Sequence, residues 1–219
     1  MNTAEFLTIT ASIVPDRVAL VDPGGSCTYG ELQIRVYRMA HAFKDLGLGK
    51  GHNVGVMAVN SAEFVELYYA SAIVGATFVP LNYRAKTEEL TYMIDAASVN
   101  VLFISERYQS LLDEIRPDIS RVEHVYALDF ASDGYPSIGD LRERGSDDPI
   151  FAETEEEDAS LVIYTSGTTA LPKGVVLTHK ALSAYVLNTQ NPADPVGERE
   201  INLVAVPLFH IAGATQMIG

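Results

Sequence analysis

The chain has 219 residues, of which 47% are apolar and 20% charged, and its formal net charge is −14. A chain of this length can bury a core unaided, and its composition excludes collagen-like, wholly disordered and coiled-coil classes. So acidic a surface repels nucleic-acid phosphates and anionic membranes, so no nucleic-acid partner is expected and an anionic ligand has to be captured locally.

Cys27 is the only cysteine. Neither an internal disulfide nor a thiolate metal cage can form, which suits a reducing compartment, and a cytoplasmic location is expected. The N-terminus carries Glu5 ahead of a modest apolar stretch and lacks the basic-then-apolar layout of an export signal. The apolar run 67–81 is shorter than a bilayer span and is interrupted by Gly75 and Pro80, so no transmembrane segment is expected.

In chain order, Thr28 and Glu31 have capping-box spacing. Behind them Leu32, Val36, Met39, Ala40, Phe43 and Leu46 recur at helical intervals until Gly47, which predicts a helix over 29–46. An apolar strand at 53–59, a helix at 62–74 and an extended segment at 77–81 follow. Next come a Thr87-capped helix through 97, a strand at 101–104 and a Ser105-capped helix ending before Pro117. Strands at 122–128 and 160–164 flank a short helix at 138–144, and a further strand and helix close this part. Another strand is expected at 202–205, with a helical stretch at 214–219. Apolar strands alternating with helices indicate an α/β fold, a mostly parallel sheet with helices on both faces. In such sheets ligands settle at the carboxyl ends of the strands.

One loop in that position concentrates donors. Thr165, Ser166, Thr168, Thr169 and Lys173 place four hydroxyls and an ammonium within nine residues, with Gly167 and Gly174 allowing close backbone approach and Pro172 restricting the turn. Hydroxyls and backbone N–H groups can surround polyphosphate oxygens while a lysine balances charge without demanding planar geometry. The spacing misses the Walker A pattern: Pro172 stands for its second glycine and Gly174 for its magnesium-holding hydroxyl residue. A plain Ser/Thr-rich surface turn is the simpler alternative.

The sixteen residues from Tyr164 to His179, YTSGTTALPKGVVLTH, resemble the phosphate-binding signature of the adenylate-forming superfamily, which includes acyl-CoA synthetases. Thr28-Tyr29-Gly30-Glu31-Leu32 and the stretch 75–82 are similar to that family's early segments, read here as packing and capping elements. The resemblance implies the first part of the large N-terminal domain of an acyl-CoA synthetase-like fold. With it come an acidic connection at about 147–158 and a phosphate-binding loop at 164–174. It implies ATP, Mg2+ and coenzyme A as co-substrates and a carboxylic acid as the group activated. Thr165, Ser166, Gly167, Thr168, Thr169 and Lys173 are then the triphosphate-binding set. The segment Pro207-Leu208-Phe209-His210 is similar to one lining the acyl pocket, making Phe209 and His210 substrate-pocket candidates and favouring an acid without an α-amino group. His210 as a cap of the next helix is the rival reading.

Ala170 departs from the family pattern, which has glycine after the two threonines. The family's later motifs, its magnesium-holding Thr-Glu pair, its ribose-binding aspartate and its mobile C-terminal domain with a catalytic lysine, find no match. The chain is therefore expected to be the N-terminal part of a longer enzyme, inactive alone, with no protein metal ligands and no certain catalytic residue of its own. A non-catalytic nucleotide-binding or regulatory module is the alternative, and a homodimer is left open. The acidic cluster 153–158 is expected to be solvated. His41, His52, His124 and His179 lack metal-ligand spacing and are expected to be structural or exposed.

Overall fold

The computed structural model describes residues 1–165, 171–197 and 201–219. Helix α1 (Ala4–Ile13) and the antiparallel hairpin β1 (Val18–Asp22) and β2 (Gly25–Thr28) precede the α/β alternation. Then come α2 (Tyr29–Asp45), β3 (Asn53–Met57), α3 (Ala62–Val74), β4 (Thr77–Pro80), α4 (Thr87–Ala96), β5 (Val101–Ile104) and α5 (Gln109–Ile115). The series continues with β6 (His124–Ala127), α6 (Ile138–Arg142), β7 (Ala159–Thr165), β8 (Lys173–Thr178), α7 (His179–Thr189) and α8 (Ile211–Ile218). The large sheet has the order β6-β5-β3-β4-β7-β8, parallel throughout except for the antiparallel pair β7 and β8. The expected α/β fold with a mostly parallel sheet is present.

Alternating strand residues feed two cores, as the pleat requires. Val54, Val56, Phe78, Val101, Phe103, Leu161 and Ile163 pack with α1, α2, α3, α7 and α8, while Met57, Val79, Leu102, Ile104 and Tyr164 pack with α4 and α5. Helix α2 lies in the first core with Leu32, Val36, Met39, Ala40 and Phe43 buried, and Phe43 meets Phe103 at 5.8 Å between ring centroids. Its N-terminus has the capping box read from sequence: the Thr28 hydroxyl accepts from Glu31 N at 3.2 Å, and the Glu31 carboxylate accepts from Thr28 N at 2.8 Å.

Every residue of α3 from Phe64 to Val74 is buried. A helix covered on all sides is apolar all round, which accounts for the long uncharged run without any membrane. Gly75 ends it at φ 77°, a left-handed cap that glycine adopts without steric cost. No helix among the described residues is long and apolar enough to cross a membrane. The buried carboxylate of α3, Glu66, is 1% exposed and accepts from Arg142 of α6 at 2.9 Å.

Several local expectations are corrected. Thr87 is the first helical residue rather than the cap. Lys86 holds the cap position, and its backbone N–H donates to Glu89 at 3.3 Å. The Ser105 side chain caps nothing; instead the Asp129 carboxylate accepts from Glu106 N at 2.8 Å, and a 3-10 turn, Glu106–Tyr108, precedes α5. Residues 202–205 form no strand, because no ladder partner lies beside them among the described residues, and Ile201 and Leu203 are exposed. The terminal helix begins at Ile211, three residues before its expected start. The acidic cluster is mostly exposed but tied to its surroundings, with Asp158 2.7 Å from Lys50 and Glu157 2.5 Å from Lys180.

Candidate active site at the carboxyl edge of the sheet

The hydroxyl-rich loop leaves the carboxyl end of β7, whose other neighbour β4 runs parallel to it. Ser166, Gly167, Thr168, Thr169 and Ala170 lie outside the described residues. The flanks are described. Thr165 and Lys173 are register partners at the end of the β7 and β8 pair where the signature segment connects them, both exposed, with the Thr165 hydroxyl donating to the Lys173 carbonyl at 3.5 Å. Among the described residues no carboxylate pairs with the Lys173 ammonium.

Both ends of the hairpin are anchored. Tyr164 points away from Thr165 into the second core, where its hydroxyl donates to the Met93 carbonyl at 3.1 Å and burial pushes its pKa up to about 12. Opposite it, a Cβ added to Gly174 would sit 3.4 Å from the Tyr164 ring, an ordinary contact. Steric demand from the described residues therefore does not require glycine there. At the far end the Thr178 hydroxyl accepts from Ala181 N at 3.2 Å and starts α7.

His179 is fully buried beneath that turn. Its Nδ1 accepts from Thr3 N at 3.2 Å and lies 3.1 Å from the Thr3 hydroxyl, which also accepts from Tyr68 at 2.7 Å. Burial lowers its pKa to about 4, so the ring is neutral and structural, as expected from sequence. Of the other histidines, His41 donates to or accepts from nothing catalytic: its Nε2 lies 3.1 Å from the Asp148 carbonyl. Among the described residues no group of three His, Cys, Asp or Glu side chains could hold a metal ion.

The second candidate pair sits on the turn before α8. Phe209 is buried, and its ring stands perpendicular to Tyr83 at 4.9 Å between centroids. His210 is exposed, tilts against Phe209 at 4.4 Å, and occupies the N-cap position of α8 without a side-chain cap bond. It therefore has the place of a cap but not the bond. Tyr83, just after β4, was missed in sequence, where the family-like stretch stops at Asn82. Its ring joins Phe209 to Tyr108, 6.3 Å away in the turn after β5, and carries the Arg84 guanidinium 5.5 Å from its centroid. Loops following β4, β5 and β7 thus all present groups at one edge of the sheet.

A family model described as AMP-binding enzyme matches residues 7–219. The chain belongs to the AMP-binding enzyme family. The chain is 31% identical over 214 residues to the indoleacetate–CoA ligase of Aromatoleum aromaticum, a match covering 97% of it and 42% of the relative. The inhibitor-bound N-terminal domain of FACL13 from Mycobacterium tuberculosis superposes with a TM-score of 0.87 at 28% identity, covering 99% of this chain and 54% of that one. The anthranilate CoA ligase AuaEII, solved with anthranoyl-AMP, superposes with a TM-score of 0.82 at 26% identity, covering 85% and 36%. The chain thus spans less than half the length of that curated relative and matches the N-terminal portion of acyl-CoA ligases.

Proposed function

We propose that this chain is the N-terminal part of an AMP-forming acid–CoA ligase. A substrate carboxylate oxygen attacks the α-phosphorus of ATP, the bond to the β-phosphate oxygen breaks, and acyl-AMP and pyrophosphate result. The thiol of coenzyme A then displaces AMP to give the thioester. The observation that carries this reading is the pairing of Thr165 with Lys173 where the signature segment joins β7 to β8, at the carboxyl edge of the sheet. An ammonium and hydroxyls aimed at the departing pyrophosphate lower the barrier electrostatically and need no protein nucleophile. Ser166, Gly167, Thr168 and Thr169 complete that set in this reading.

Phe209 and His210 form a wall of the acyl pocket, continued by Tyr83. An aromatic wall with no carboxylate among the described residues suits an acid lacking an α-amino group, and two of the three relatives named above, the indoleacetate–CoA and anthranilate CoA ligases, are named for aromatic acids. In this reading magnesium enters with the nucleotide. The segment 147–158 serves as the acidic connection to the signature, the enzyme works in the cytoplasm, and a homodimer is its assembly to test by light scattering.

The test uses the full-length protein. Lys173→Ala should slow acid-dependent ATP–pyrophosphate exchange by at least about tenfold while thioester formation from preformed acyl-AMP is far less affected. Equal losses in both half-reactions would overturn the assignment of Lys173.

A further inference from the structure

The segment carrying Phe209 and His210 has no strand or helix of its own before α8, yet its course is fixed. Asn60, in the turn between β3 and α3, reaches it with three hydrogen bonds. Its Nδ2 donates to the carbonyls of Val204 at 3.2 Å and Val206 at 3.0 Å, and its Oδ1 accepts from Leu208 N at 2.9 Å. Among the described residues no other side chain hydrogen-bonds the backbone of residues 204–208. A primary amide alone among the small side chains offers two donors and an acceptor at this reach, so Asn is chemically specified here. Downstream, a Cβ on Gly213 would fall 2.8 Å from the Pro207 carbonyl carbon and 2.9 Å from Leu208 Cα. The first turn of α8 can press onto the same segment only because residue 213 has no side chain.

We infer that Asn60 is a positioning residue for the acid substrate, a polar clasp that sets the Phe209 and His210 wall against Tyr83 from outside the pocket. The clasp belongs to the turn after β3 rather than to β7, so it governs the acyl side of the site without touching the segment that carries Lys173. This inference rests on the reading of Phe209 and His210 as the acyl wall. It goes beyond that reading by assigning specificity to a residue that neither contacts the pocket nor lies in a phosphate-binding segment.

The charge of Asn60→Asp is informative. It keeps an acceptor for Leu208 N but sets a carboxylate against two carbonyl oxygens, whereas Asn60→Ala removes all three bonds without repulsion. In the full-length enzyme, each variant should raise KM for the acid about tenfold, with KM for ATP changed less than about twofold. Amide hydrogen exchange at Leu208 should speed up, while exchange along β7 and β8 stays as in the parent. Phe209→Ala serves as the control on the wall itself. If it raises the KM for the acid and neither Asn60 variant does, the clasp is refuted and the wall reading survives. If none of the three alters that KM, the wall reading fails and the inference with it. Should Asn60→Asp not fold, Asn60→Ala carries the test, and a uniform rise of both KM values would assign Asn60 to general stability and overturn the proposal.

Discussion

Glu66 is the most exposed point of argument in the fold because it is nearly absent from solvent. Only 1% of it is accessible, one carboxylate oxygen accepts from Arg142, and the other has no hydrogen-bond partner among the described residues. Burial is the largest influence on the carboxyl and outweighs the attraction of Arg142; Glu63 adds to it and Arg35 opposes it. The result raises the pKa from 4.5 to about 7. The folded state therefore holds a proton that the unfolded state has released throughout the window from pH 4.5 to 7. Stability contributed by the protonated carboxyl is complete below pH 4.5 and falls as pH rises through about 7. The difference corresponds to roughly 3 kcal/mol, at 1.36 kcal/mol per unit. Glu66→Gln keeps the shape and removes the charge, so the stability difference between variant and parent should move in favour of the variant by up to that amount between pH 5 and pH 8. Arg142→Ala should do the opposite at pH 8, where it strands a buried carboxylate, and destabilise by about 3 kcal/mol or more. Urea unfolding of the full-length protein at the two pH values measures both. Parallel stability–pH curves for the parent and Glu66→Gln would refute the claim that this carboxylate is held charged only at a cost.

Other outcomes follow from single residues. Thr28→Ala removes half of the α2 capping box and should cost about 1 kcal/mol of stability without altering either half-reaction, measured by denaturation and by exchange kinetics. Ala170→Gly restores the family residue in the phosphate loop. If that position needs a left-handed backbone, alanine costs it about 1–2 kcal/mol, so the glycine variant should bind ATP more tightly with an unchanged melting temperature; equal affinities by calorimetry would show the departure to be harmless. Tyr164→Phe deletes the bond to Met93 O and should destabilise by about 1 kcal/mol while leaving adenylation within about twofold, because the hydroxyl faces the core rather than the loop mouth.

Much of the fold was legible because its signals are local. The helix α2 announces itself by a cap and a 3.6-residue period that lie within one segment, and β5 by four consecutive apolar residues between turns. The strands on either side of the signature were legible for the same reason, as short apolar runs beside a turn; their antiparallel pairing, with Thr165 opposite Lys173, was not. Helix α1 was not: its pattern of threonines and isoleucines has little contrast, and its burial against α2 and α3 supplies what propensity does not. Residues 202–205 read as a strand because a short apolar run cannot reveal that a ladder partner is missing.

Sequence by itself determined the layered α/β class, the cap of α2, the place of the donor-rich loop and the family to which it belongs. Tertiary structure decided which solitary residues matter. Asn60 joins a segment some 146 residues away, Tyr83 stands against Phe209, and buried Glu66 meets its ion-pair partner Arg142 only because α6 packs near α3. A cap or a period is an interaction among neighbours in the chain and leaves a pattern there. A hydrogen bond or ring contact between distant segments leaves none, because its energy depends on a distance that exists only after the sheet has assembled.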